Sequence, residues 1–133
     1  WFGFDDGVYA GARFLQILAA QQKTCQELYD ALPKGVVTPE LKIMVAEDKK
    51  VKLMQKITER QHDFAAWDAD AKIHTIDGVR VDFSDGFALL RASNTTPCII
   101  ARFEAKDESR LKSLQQHYKK ILLTIDNSLE VPF

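Results

Sequence analysis

Hydrophobic and polar positions change period several times along the chain. Asp5-Asp6-Gly7 suits a helix start, because carboxylates accept from free N–H groups at the positive end of the helix dipole. Val8, Ala12, Leu15 and Ala19 then recur on one helical face, which Phe14, Ile17 and Leu18 widen. A short second helix is predicted around Leu28, Tyr29 and Leu32. Pro33-Lys34-Gly35 ends it, since proline has no N–H and glycine takes dihedrals other residues avoid. The period then shortens: Leu41, Ile43 and Val45 alternate with polar residues, as in a half-buried strand. Glu47-Asp48 lead a charged amphipathic helix bearing Val51, Leu53, Met54 and Ile57, and the polar stretch from Gln61 to Asp70 ends that periodicity.

Ile73 and Ile76 follow, then a turn at Asp77-Gly78 and strict alternation at Val79, Val81 and Phe83. A second turn at Ser84-Asp85-Gly86 leads to a short strand, Phe87 to Arg91, and Ile99, Ala101 and Phe103 mark another. The last helix is predicted from Leu111, Leu114, Tyr118, Ile121, Leu122 and Ile125 on one face, with Asp107 and Glu108 early and Lys119 and Lys120 late. Antiparallel strands between two helices predict a two-layer α+β domain over residues 35–133. Residues 1–34 contain helices and no strand, too little for a core, and Gly35 to Thr38 reads as a linker. The apolar start Trp1-Phe2-Gly3-Phe4, without Met, suggests a piece of a longer chain whose aromatic residues pack on structure not included, and which would promote association when exposed.

Composition narrows the classes. At 133 residues, 46% hydrophobic, the chain can build a core without disulfides or metals. The 18 Lys and Arg nearly balance 19 Asp and Glu, which argues against a nucleic-acid or anionic-membrane partner. No run approaches the roughly 18 apolar residues of a membrane span. Cys25 and Cys98 are far apart and read as buried, reduced thiols of a cytoplasmic protein.

One segment carries candidate chemistry: Arg91-Ala92-Ser93-Asn94-Thr95-Thr96-Pro97, between two predicted strands. The guanidinium offers a planar fork of donors that matches phosphate oxygens. Ser, Thr and Asn add neutral donors, and successive N–H groups of a tight turn can form an anion nest. Pro97 restricts Thr96 to extended conformations. The same residue types also make ordinary turns, and Asn94-Thr95-Thr96 matches a glycosylation sequon, so the residues alone leave both readings open. Arg102 shares a strand face with Glu104, which permits a local ion pair or a second cation aimed at the same anion. His62, His74 and His117 show no metal-ligand spacing; His117 reads as a helix-surface residue, and Asp5-Asp6 as a cap rather than a metal site.

Arg91 to Pro97, preceded by Asp77-Gly78-Val79-Arg80-Val81-Asp82-Phe83, resembles the C-terminal domain of the α-D-phosphohexomutases, and most closely the bacterial phosphomannomutase/phosphoglucomutase branch. The similarity continues through Ala101-Arg102-Phe103-Glu104-Ala105 and Asn127-Ser128-Leu129-Glu130-Val131-Pro132-Phe133. Trp1 to Tyr9 is similar to the stretch just after that family's sugar-binding loop.

The resemblance implies a four-domain enzyme that interconverts hexose 1-phosphate and hexose 6-phosphate, with mannose and glucose 1- and 6-phosphates as ligands. A phosphoserine with Mg2+ beside it transfers the phosphoryl group through a bisphosphorylated sugar. It also implies a TATA-box-binding-protein-like fourth domain at 35–133, preceded at 1–34 by helices that end the third, sugar-binding domain. By position, Arg91, Ser93, Asn94 and Thr95 match the family's contacts to the phosphate that is not transferred, and Arg102 matches a downstream arginine of the pattern. The serine loop, the Asp-rich metal loop and the Gly-Glu-Met-Ser-Gly-His sugar loop of the family are not in this sequence, so no catalytic or metal-binding residue is expected here and the piece alone is expected to be inactive. Its partners would be the upstream domains of the same chain. Phe87-Ala88 stand where relatives often have Trp-Gly, and Asn94 favours the mannose/glucose branch over the glucosamine branch, where Gly is usual. The rival reading is a stand-alone, non-enzymatic α+β module that binds a ligand or a protein.

Overall fold

The computed structural model describes Gly3 and residues 5–133, and divides into two compact units that break between Lys34 and Gly35. In the first unit, α1 (Gly7–Gln21) is capped by the Asp6 carboxylate, which accepts from the Tyr9 N–H at 2.9 Å. Helix α2 (Cys25–Asp30) starts with a reciprocal cap: Thr24 Oγ1 accepts from the Glu27 N–H, and Glu27 Oε2 accepts from the Thr24 N–H. That backbone N–H, with the Thr24 hydroxyl, holds the Glu27 carboxyl below its ordinary pKa. The apolar stripe of α1 is present, but no residue of either helix is buried; Val8 is 86% exposed. The packing expected of Trp1, Phe2 and Phe4 lies outside the described residues.

The second unit is the α+β domain. It runs β1 (Val36–Val37), β2 (Leu41–Met44), α3 (Glu47–Glu59), α4 (Gln61–Ala65), β3 (Lys72–His74), β4 (Val79–Phe83), β5 (Gly86–Ala92), β6 (Cys98–Ala105) and α5 (Glu108–Ile125). The six strands pair antiparallel in the order β1-β6-β5-β4-β3, with β2 also on β6. Side chains alternate across the sheet. One set, including Ile43, Val79, Val81, Leu90, Ile99 and Phe103, is buried against Leu53, Ile57, Phe64, Leu114, Tyr118 and Leu122 of the helices. Each such side chain stabilises the fold by about 1.5–3 kcal/mol relative to exposure. The other set includes Lys42, Arg80, Asp82, Leu89, Arg91, Arg102 and Glu104, and stays partly or fully exposed.

Several sequence expectations are corrected. Val36-Val37 are not linker but an edge strand opposite Glu104-Ala105, and the buried Thr38 exchanges hydrogen bonds with Phe103 through its N–H and Oγ1. The rim of β6 has backbone groups to pair there, and two valines suffice. The polar stretch after Arg60 forms α4, because Phe64 and Ala65 reach the core and the Phe64 ring lies 4.8 Å from that of Tyr118. Val51 is on the exposed flank of α3. His117 is not a free surface residue: it stacks on Trp67 at 4.6 Å, and its Nε2 lies 3.1 Å from the Asp63 carbonyl. Cys98 is buried but Cys25 is exposed. The buried Tyr118 hydroxyl has no hydrogen-bond partner among the described residues, and burial pushes its pKa far up. No helix among the described residues is long and apolar enough to cross a membrane.

Candidate anion-binding site

Strand register sets up the site. Ala92 opposes Ile99, so residues 93–97 must make the connection from β5 to β6. The Ser93 N–H donates to the Cys98 carbonyl at 3.0 Å, and the Cys98 N–H donates to the Thr96 carbonyl at 2.8 Å. Ser93 Oγ accepts from the Thr96 N–H at 3.1 Å and, longer, from the Thr95 N–H at 3.4 Å. Ser93 is 6% exposed, and its hydroxyl folds the turn back on itself. The Pro97 carbonyl accepts from the Val45 N–H, which ties the turn to the end of β2.

A lysine fixes the turn from beneath. Lys50, on α3, donates to the Ser93 carbonyl at 2.7 Å and to the Thr96 carbonyl at 3.4 Å. It also pairs with Glu47 at 2.8 Å. What remains points outward. Asn94 and Thr95 are exposed, and among the described residues neither their side chains nor the Asn94 N–H has a protein partner.

Arg91 projects from the open face of β5, half-buried, with Nη1 3.5 Å from the exposed Asp77 carboxylate. Gly78 makes that approach possible. Its φ is +84°, and a Cβ there would run into the Leu90 carbonyl and the Arg91 backbone. Arg91, Ser93, Asn94, Thr95 and Thr96 line one cavity of about 330 Å³ with Glu40, Lys42 and Ile100. Lys42 opposes Ile100 across β2 and β6, and Ile100 opposes Arg91, so the two cations flank one isoleucine. A neighbouring hollow of about 490 Å³ shares Arg91, but its arginine Arg80 is already paired with Asp82 and stacked on Phe87.

The structure thus brings four of the five sequence candidates to one cavity. Arg102 is not in its lining; it is exposed on the same sheet face, opposite Leu89. The possible Arg102–Glu104 ion pair is not made, and Arg102 has no ionic partner among the described residues. Sequence reasoning missed Lys42 and Lys50. The first looks like an ordinary strand lysine. For the second the only signal is Glu47 three residues earlier on a predicted helix. The cavity holds two cations, a carboxamide, hydroxyls and an outward N–H, the donor types that suit a small oxyanion, together with one carboxylate, Glu40.

Comparison with known proteins bears on the family. Residues 40–120 match the family described as "Phosphoglucomutase/phosphomannomutase, C-terminal domain". The whole chain is 44% identical to 28% of the phosphomannomutase/phosphoglucomutase of Pseudomonas aeruginosa. Over 92% of its length it is 43% identical to 26% of the phosphoglucomutase of Neisseria gonorrhoeae. A crystal structure of a phosphoglucomutase/phosphomannomutase family protein from Burkholderia thailandensis superposes on the whole chain with a TM-score of 0.77, at 40% identity, over 27% of that protein. The chain therefore spans little more than a quarter of the length of these relatives.

Proposed function

Because this chain belongs to the phosphoglucomutase/phosphomannomutase family, whose C-terminal domain it carries, we propose that it supplies the wall of a hexose-phosphate mutase that holds the phosphate not being transferred. The supporting observation is the cavity in which Arg91 and Lys42 meet the outward groups of Asn94 and Thr95. In this reading Arg91 forks onto two phosphate oxygens. The Asn94 N–H and side chain, with the Thr95 hydroxyl, take others. Ser93 shapes the turn and Arg102 lends charge from the adjoining row. Phosphoryl transfer depends mainly on positioning and electrostatics. A clamp on the remote phosphate uses binding energy away from the reacting centre to orient the sugar. Closing the cleft over it would exclude water.

The ligands in this reading are mannose and glucose 1- and 6-phosphates, and the partner surface is the rest of a longer polypeptide in the cytoplasm. Residues 1–34 belong to the preceding sugar-binding domain, and residues 35–133 are the clamp. The phosphoserine chemistry is assigned to chain outside these residues, which alone are inactive. The Mg2+ that the family resemblance implies is assigned, with the phosphoserine, to chain outside these residues; among the described residues no group of three or more His, Cys, Asp or Glu could hold a metal ion.

The test is a titration of the 15N-labelled chain with inorganic phosphate, glucose 1-phosphate and mannose 1-phosphate at low salt. Saturable amide shifts centred on Arg91, Ser93, Asn94 and Thr95 are expected, with affinity falling about tenfold or more in Arg91→Ala. A folded chain with no shifts there at millimolar ligand would overturn the reading.

A further inference from the structure

Lys50 sits where lysines are rarely found. Its residue is 6% exposed, and few lysines are buried without partners that match the ammonium. The partners are the carbonyls at both ends of the Ser93–Thr96 turn, from a different element 43 residues away in the case of Ser93, and the carboxylate of Glu47. Glu47 is largely exposed, so solvent reaches that side of the pair, while the carbonyls take the buried side.

The carbonyl contact has a geometric consequence. A peptide unit is planar and trans, so its C=O and the following N–H point in opposite directions. Drawing the Ser93 carbonyl toward Lys50 turns the Asn94 N–H away from it, and that N–H has no protein acceptor. Without a cation beneath, the Ser93 carbonyl would be a buried acceptor with no donor, and the peptide could flip to face solvent. The flip would aim an oxygen at an incoming anion in place of a hydrogen. The ammonium also adds positive charge behind the turn, in a poorly solvated place where its field is weakly screened.

We propose that Lys50 is the positioning residue of the anion site. Its buried ammonium holds the 93–96 turn with the Asn94 N–H outward, and contributes attraction without touching the anion. This rests on the phosphate-clamp reading above. Lys50 thereby links α3 to the site, although α3 places no side chain in the cavity lining.

The experiment is inorganic phosphate titration by amide shifts, comparing the unaltered chain with Lys50→Met, Lys50→Arg and Glu47→Gln. Lys50→Met keeps the apolar stem and removes the charge. It is expected to weaken phosphate at least tenfold and to move the Asn94 amide resonance before any ligand is added, with resonances of Phe64 and Tyr118 unchanged. Lys50→Arg, which keeps charge and donors, is expected to recover at least threefold of that loss. A filler role would leave Lys50→Met as tight as the unaltered chain, and that result would overturn this inference while leaving the clamp intact. An unaltered chain with no phosphate shifts at the loop would instead remove the clamp, and this inference with it. Should Lys50→Met fail to fold, Glu47→Gln decides. Glu47 is exposed, and the two carbonyls still hold Lys50, so losing the counter-charge is expected to tighten phosphate two- to threefold at low salt. Unchanged or weaker binding by that variant would overturn the proposal.

Discussion

Strand β5 carries an ion-rich connection at each end, and the two differ in what their donors meet. At its start, the Asp85 carboxylate accepts from Arg110 Nε at 3.0 Å and lies 3.6 Å from Lys106 Nζ, while the Asp85 carbonyl accepts from the Lys106 N–H. Arg110 in turn lies over the Trp67 ring at 4.4 Å. The Arg110 Nε and the Lys106 N–H both meet Asp85 oxygens within the domain, and Arg110 ties α5 to the sheet as a result. At the other end the internal partners serve only the frame of the turn: Ser93 Oγ and Lys50 hold the backbone. Among the described residues the side chains of Lys42, Asn94 and Thr95 have no protein partner, and Arg91 has one loosely placed, exposed carboxylate. Both ends use arginine and lysine. In the proposed reading, what separates a binding site from a structural turn is which donors are left facing solvent, and whether something rigid keeps them there.

Gly78→Ala should blur that contrast most. A left-handed φ and a backbone collision act together, so a loss of about 3 kcal/mol is expected. Thermal unfolding should register it as a Tm drop on the order of 15 °C; a drop of only a degree or two would mean the Gly78 turn can move away from Arg91 freely. Asp85→Ala should separate the two ends. It strands Arg110 and Lys106 and is expected to cost about 1–2 kcal/mol in denaturant unfolding. Phosphate affinity should stay as it was, and a change in affinity would mean that the two ends communicate through β5. Asp77→Asn should have the smallest effect and act at the other end. Stability should hold within about 0.5 kcal/mol, while freeing the Arg91 guanidinium should tighten phosphate about two- to threefold at low salt. Weaker binding in that variant would mean Asp77 orients Arg91 and does not compete for it.

The legible parts of the molecule were those with long periods or dense chemistry. Alternation at Val79, Val81 and Phe83 and the stripe from Leu111 to Leu122 describe faces that are in fact buried, and Ile125 is partly buried. Arg91 to Pro97 stood out because so many donors crowd one turn. Short or two-sided elements were hidden. Val36-Val37 is too brief to show alternation, and α4 buries only Phe64 and Ala65 behind three polar residues. Lys50 was illegible for a different reason. In Glu47-Asp48-Lys49-Lys50 a lysine looks like solvated helix surface, and only the long-range fold reveals two carbonyls waiting above it. Arg102 and Glu104 show the converse: a shared face supplied by the sequence, but no pairing across it.

The placement of the two cysteines makes the loop measurable by kinetics. Cys25 is exposed, while Cys98 begins β6 fully buried, with its N–H bonded to the Thr96 carbonyl. Under a thiol reagent, Cys25 sets the unhindered alkylation rate and Cys98 reacts only when the seam between turn and strand parts. The ratio of the two rates is then an internal gauge of how often the turn opens, read within one molecule and with no label added.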